Sequence, residues 1–273
     1  MTDIRGTSRE AVAVLRQQLQ TVTGSPEQLG ALGTELLSVV GLVDSQPTLR
    51  RALTNPSRSA DDRAGLAANL FQNRLSTDAL ALVTAAVRLP WSRVRALGDA
   101  LEEIGVLALV RSAEAERRLD DLEDGLFRFG RLVDREQRLQ LALTNRAVPA
   151  EKRAELARTL LAGKTPDAAV RLVEQAVVAP RGLSLTEALD NYAKIAAAWR
   201  DRLVATVRTA VQLSTAEQDR LAGALSRQYG QDLHLNILVD PGVLGGLRIE
   251  LGAEVIDGTI ASRLDDARRR LAG

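Results

Sequence analysis

Cysteine is absent from this chain of 273 residues, histidine occurs once, aromatic residues make up 3%, and neither sign of charge prevails. Without cysteine there is no disulfide framework, no thiolate metal site and no cysteine nucleophile, which fits a reducing compartment. A lone His234 rules out a multi-histidine zinc centre. Lys and Arg number 36 against 35 Asp and Glu, so no basic field exists to neutralise a run of phosphates or grip an anionic membrane. Nucleic acid is therefore not an expected partner. The opening Met1-Thr2-Asp3-Ile4-Arg5-Gly6 has no apolar core of the kind a secretory signal needs. No stretch reaches the about 18 apolar residues that span a bilayer. The expectation is a cytoplasmic protein without direct membrane insertion, linked to a membrane only through a partner.

What is present points to helices. The hydrophobic fraction is 45% and the charged fraction 26%, as in an ordinary globular protein. Leu, Ala and Val dominate, and Leu and Ala give up little rotamer freedom in a helix.

Compared with itself at an offset of 90 residues, the chain repeats. Leu42-Val43-Asp44 returns as Leu132-Val133-Asp134, and Ala52-Leu53-Thr54-Asn55 as Ala142-Leu143-Thr144-Asn145. Arg63-Ala64 with Leu66-Ala67 and Leu70 returns as Arg153-Ala154, Leu156-Ala157 and Leu160, and Pro90 as Pro180. From Leu36 to Leu70 there are 15 identities in 35 aligned pairs, against roughly three or four from composition alone. Two amphipathic helices that merely share a period would repeat Leu and Ala, not Thr-Asn at one place in both.

Each copy reads as five or six helices. Ser25-Pro26-Glu27 supplies an N-cap, a first-turn proline and a first-turn acid for a helix from about Pro26 to Val43. Asn55 and Asn145 stand where a left-handed residue would end a helix, before Pro56 and Pro149. Ser184-Leu185-Thr186-Glu187 forms a capping box for the run to Trp199. Between Trp91 and Val133 there is no proline, although Gly98, Gly105, Gly125 and Gly130 are candidate helix ends, so long helices and a stiff junction are expected.

After Arg202 the rhythm changes. Leu203, Ala205, Val207, Thr209, Val211 and Leu213 alternate at strand period. Ser214-Thr215-Ala216-Glu217 opens a helix that ends near Tyr229-Gly230. Leu233 to Val239 and Leu247 to Leu251 alternate again, Val255-Ile256 pairs back, and Asp257-Gly258 leads into a last helix. The expected fold class is mainly α: two tandem copies of a helical bundle, residues 1–97 and 98–202, followed by a small α+β (β-α-β-β-α) domain, 203–273.

The stretch from His234 through Asp240-Pro241-Gly242-Val243-Leu244-Gly245-Gly246-Leu247 to Gly252 resembles the C-terminal signature of the ATP synthase delta (oligomycin-sensitivity-conferring) family. So does the continuation Val255-Ile256-Asp257-Gly258 to Arg263-Leu264. On that resemblance the signature and turn positions are Asp240, Gly245, Gly246, Leu247, Gly252, Ile256, Asp257, Gly258, Arg263 and Leu264. Family members typically have one helical bundle before such a domain. Here the bundle occurs twice, which is similar to the extended delta subunits of actinobacteria. The resemblance implies a non-catalytic stator protein without cofactors, peripheral at the cytoplasmic face of the membrane. The helical part would receive N-terminal segments of the alpha subunits of the catalytic head, and the C-terminal domain the ends of the b subunits.

Sharper chemical readings lose to plainer ones. Gly242-Val243-Leu244-Gly245-Gly246 lacks the Lys-Ser/Thr of a phosphate-binding loop, and Leu247-Arg248 follow instead. No Gly-x-Ser-x-Gly accompanies His234, which alternates with the apolar strand positions and is expected on the outer face. Asp120-Asp121 and Glu123-Asp124 beside Arg117-Arg118 read as a solvated helix face, not as metal ligands. Arg268-Arg269-Arg270 suits the end of a helix dipole, and Trp91 and Trp199 read as packing residues. The competing functional class, a free helical repeat scaffold or regulator, would lack the C-terminal signature.

Overall fold

Serine caps and prolines set where helices begin. The computed structural model describes residues 6–202, 204–229, 233–240, 242–243, 245–251 and 254–258, and divides into two compact units, the first ending at Ala196 and the second starting at Ala197. The first unit holds α1 (Gly6–Thr21), α2 (Pro26–Ser45), α3 (Pro47–Thr54), α4 (Ala60–Phe71), α5 (Thr77–Arg88), α6 (Ala96–Ala115), α7 (Leu119–Arg135), α8 (Gln137–Thr144), α9 (Ala150–Leu161) and α10 (Asp167–Val178); α11 (Leu185–Arg202) crosses the division. Ser25 begins α2 with a reciprocal box: its Oγ accepts from the Gln28 amide, and the Gln28 side chain accepts from the Ser25 amide at 2.8 Å. Ser59 and Ser76 cap α4 and α5 the same way, each accepting from the amide three residues on.

The helix limits recur along the chain. α3 and α8, α4 and α9, and α5 and α10 each begin and end 90 residues apart. α6 begins 90 residues after α1 and 89 before α11. Leu53 and Leu143, one in α3 and the other in α8, are both fully buried. Arg63 sends Nε to the Val87 carbonyl at 2.7 Å, and Arg153 sends a terminal nitrogen to Val177 O at 2.7 Å, so each fastens the end of the following helix.

Two expectations fail in detail. Asn55 and Asn145 end α3 and α8 in extended conformation (φ −65° and −66°), not left-handed. Their side-chain oxygens instead accept from the amides two residues on, each at 3.0 Å, and turn the chain locally. Nor do the four glycines end helices: Gly98 and Gly105 lie inside α6, and Gly125 and Gly130 inside α7. The break between α6 and α7 falls at Arg117, which takes φ 59°. Gly105 has a packing reason. A methyl group at Gly33 of α2 would lie 2.8 Å from the Gly105 carbonyl oxygen, so only the absence of side chains lets α2 and α6 approach this closely. α6 is consequently buried along most of its length, from Ala96 to Ala113.

The second unit carries a mixed sheet in the order β2-β1-β3-β4. Its strands are β1 (Val204–Thr209), β2 (His234–Val239), β3 (Leu247–Leu251) and β4 (Glu254–Asp257), and α12 (Thr215–Tyr229) joins β1 to β2. β1 runs parallel to β2 and antiparallel to β3, which pairs antiparallel with β4. Ala205, Val207, Ile249 and Leu251 share one face with Leu235 and Ile237 and pack with Leu225 of α12. β1 stops at Thr209, short of the alternation read to Leu213, where the Thr209 hydroxyl donates to the Val211 carbonyl at 3.0 Å. The helix expected after Gly258, with Arg263, Leu264 and Arg268-Arg269-Arg270, lies outside the described residues, as does Gly252.

Candidate partner-binding surfaces

Most of the signature residues meet at one end of the sheet, where they build backbone. The Asp240 amide donates to Thr209 O at 2.8 Å, tying the end of β2 to the end of β1. Asp240 Oδ1 in turn accepts from the Gly242 amide at 2.9 Å and holds the turn. Gly245 and Gly246 have φ 67° and 84°, a region that favours glycine, and they deliver the chain into β3 at Leu247. Leu247 pairs with Thr209, and its carbonyl accepts from the Gly258 amide at 2.9 Å. A methyl group at Gly258 would stand 3.2 Å from that same oxygen. Asp257 lies opposite Arg248 and Ile256 opposite Ile249. His234 opens β2 opposite Val204.

Apolar side chains remain exposed at both sheet edges. Val239 on β2 is 50% exposed and Ile256 on β4 is 37% exposed, with Val211 also open beyond β1. In the helical unit Phe127 and Leu141 are the most exposed large apolar side chains among the described residues, at 63% and 62%. Of the acidic run on α7, Asp120, Asp121 and Asp124 are exposed and partly neutralised, Arg118 pairing with Asp121 at 2.9 Å and Arg128 with Asp124 at 2.8 Å, whereas Glu123 is half-buried. Among the described residues no group of three or more His, Cys, Asp and Glu converges to hold a metal ion. An open groove between α2 and the α9–α10 hairpin is lined by Thr34, Arg158, Asp167, Arg171 and Glu174. Its arginines are already engaged, Arg158 with Glu174 and Arg171 with Asp167, each at 2.6 Å. Trp91 donates to the Ala86 carbonyl at 2.9 Å and Trp199 is buried, so both act in packing.

A polar cluster that the sequence did not announce lies inside the helical unit. Arg181, at φ 53° between α10 and α11, buries its guanidinium to 6% exposure. Its Nε lies 2.7 Å from Asp44 Oδ2 of α2, an ion pair without hydrogen-bond alignment. Its terminal nitrogens reach Asp99 at 2.9 Å and Glu102 at 3.1 Å, both on α6. The Tyr192 hydroxyl of α11 donates to the other oxygen of Glu102 at 2.7 Å. A methyl group at Gly98 would meet the guanidinium at 2.7 Å, so glycine here leaves it room. Burial raises the Glu102 carboxyl above its ordinary range, although Arg181 and the Tyr192 hydroxyl pull the other way. Burial also pushes the Tyr192 phenol up, aided by the negative charge of Glu102. Elsewhere on α6, Arg111 donates to Leu19 O and, at 2.9 Å, to Val22 O, closing the end of α1; desolvation lowers its pKa. No local motif marks these groups, because their partners stand 79 to 92 residues away, and Asp44 farther still from Arg181.

Comparison with known proteins agrees with the signature. The family profile of the ATP synthase delta (OSCP) subunit matches residues 106–271. Among curated relatives, an ATP synthase subunit delta of Streptomyces avermitilis is 47% identical over 98% of each chain. One from Acidothermus cellulolyticus is 45% identical over 98% of this chain and all of its own. A chain in the mitochondrial ATP synthase hexamer of Toxoplasma gondii shares 21% identity over 62% of this chain and 95% of its own, with a TM-score of 0.32, a loose superposition. By the profile and by near-full-length identity, the chain belongs to the ATP synthase delta (OSCP) subunit family.

Proposed function

We propose that this chain is the non-catalytic stator subunit of an F-type ATP synthase, tying the catalytic head to the peripheral stalk so that the head does not turn with the rotor. The observation that carries this reading is the identity of 41 to 47% over nearly the whole length with proteins named ATP synthase subunit delta. The physical design suits the task. A stator must resist torque, and helices packed through glycine contacts and buried arginine bonds give few soft joints.

The division of labour follows the same reading. Residues 1–97 and 98–202 are two copies of one helical bundle that share α6, as the 90-residue recurrence of helix limits, Leu53 with Leu143, and Arg63 with Arg153 suggest. This helical part binds N-terminal segments of the alpha subunits. Residues 203–273 bind the C-terminal ends of the b subunits, through apolar surface beside the turns at Gly245-Gly246 and Ile256-Asp257-Gly258. Exposed Val239 and Ile256 on the edge strands support this, since amphipathic helices dock on such surfaces. The signature residues act by shaping the turns and not by touching a ligand.

The test is reconstitution with the full chain and with a truncation after Arg202. The full chain should bind both an alpha N-terminal peptide and the b C-terminus, and should restore coupling to stripped membranes. The truncated chain should keep the alpha peptide and lose b. Undiminished binding of b by the truncated chain would refute the assignment.

A further inference from the structure

The Arg181 cluster joins α2 and α3 to α10 and α11 across α6, and its charges do not balance. Arg181 and Arg50 supply two positive charges, Arg50 lying 3.6 Å from Asp44. Asp44, Asp99 and Glu102 supply three negative ones, and all five side chains are less than a quarter exposed. Among the described residues, the groups that act on Glu102 are the neutral Tyr192 hydroxyl from α11, Arg181 from the α10–α11 connection and Asp99 from α6 itself. The adjacent Glu103 turns away to Arg16 of α1.

We propose that this cluster is a proton-operated lock between the N-terminal and C-terminal parts of the helical unit, closed when Glu102 carries a proton and loosened when that proton leaves. With Glu102 neutral, two arginines face two aspartates and the enclosed site carries no net charge. Arg181 keeps its ion pair with Asp44 and its hydrogen bond to Asp99, and the Tyr192 hydroxyl still has Glu102 Oε1 as its acceptor. When the proton passes to solvent, one uncompensated negative charge remains in a poorly hydrated space, repelled by Asp99 on the same helix. α2, which supplies Asp44, is the helix packed most extensively on α6, which supplies Asp99 and Glu102, so the cost falls on that joint.

The sign follows from linkage. Glu102 holds its proton more tightly folded than unfolded, so its stabilising contribution is complete below the unfolded carboxylate range and is lost as pH rises through the folded value. In that window the opening constant of the helical unit should rise by up to about tenfold per pH unit.

The experiment uses the full chain, with hydrogen exchange of α6 and α11 peptides measured across pH, corrected for intrinsic exchange. Wild type should show the step. Glu102→Gln, which imitates the protonated side chain, should abolish it and keep α6 protected at the alkaline end. Tyr192→Phe should move the step to higher pH, because the hydroxyl favours the ionised form. A wild-type slope retained in Glu102→Gln, or an unmoved step in Tyr192→Phe, would overturn the proposal. Carboxyl carbon NMR of the wild-type chain decides the matter even if a variant fails to fold: Glu102 titrating above the ordinary carboxylate range supports the lock, and titration within or below that range overturns it.

Discussion

α2 and α7 occupy corresponding places in the 90-residue repeat, yet they are used differently. Gly33 and Leu37 of α2 press onto α6, with Leu37 buried to 6%. Their counterparts on α7 are Glu123 and Phe127, and Phe127 is 63% exposed. The two helices share a core stripe, since Leu36, Val43, Leu126 and Val133 are all buried. The recurrence in sequence thus goes with a buried stripe common to both helices, while a second face diverges according to whether another helix lies against it.

Substitutions can break that contrast. The largest effect should come from Leu37→Ala, about 3 kcal/mol lost through cavity formation against α6, whereas Phe127→Ala should stay within about 0.5 kcal/mol. Urea unfolding of each variant checks the pair, and equal losses would erase the distinction. Gly33→Ala comes next. Its new methyl would press on the Gly105 carbonyl and Leu109, costing about 2 kcal/mol, seen as a lower midpoint in the same titration.

Arg63→Met and Arg153→Met test what the copies have in common. Each strips hydrogen bonds from buried helix-end carbonyls, so each should cost about 1.5 kcal/mol. The Arg63 loss should be the larger, because Arg63 donates to the carbonyls of Val87, Asn55, Arg58 and Arg88, whereas Arg153 donates only to those of Val177, Leu143 and Val148 among the described residues.

The smallest effect concerns the caps. The box on α2 uses Gln28, which does not titrate, whereas the box on α11 uses Glu187, whose carboxylate accepts from the Ser184 amide at 2.7 Å. That hydrogen bond holds the Glu187 pKa below its ordinary value. Its contribution is therefore present above the unfolded carboxylate value and lost as pH falls through the lower folded value. Amide shifts at Ser184 should move strongly on acidification to that range, because the carboxylate accepts from that amide directly. Those at Ser25 should move less, because its amide donates to Gln28 and only its hydroxyl donates to a carboxylate, that of Glu27, which is likewise held below its ordinary value.

The particular residues show what was legible. The repeat was readable because Thr-Asn and Arg-Ala recur as well as the apolar stripe, and each later occupies the expected place in a helix or turn. The start of α2 was readable because capping is local chemistry within four residues. Strand alternation placed Ala205, Val207, Ile249 and Leu251 on one face for the same reason. Gly105 was left open as a candidate helix end because glycine breaks helices and also admits close helix packing, and the two uses look identical along a single chain. The signature glycines could be named from the sequence, but their work at Leu247 and Thr209 emerged only with the strand register.

Composition, local caps and period were therefore enough to determine the mainly helical class and the small C-terminal sheet, and the resemblance of the C-terminal signature pointed to the family, because each depends on residues a few positions apart or on one contiguous stretch. The tertiary structure alone decided which helix buries α6, where Arg181 finds Asp44, Asp99 and Glu102, and which apolar residues stay exposed. These depend on contacts between residues tens of positions apart, and charge pairing or close packing at such separation leaves no periodic trace in the chain.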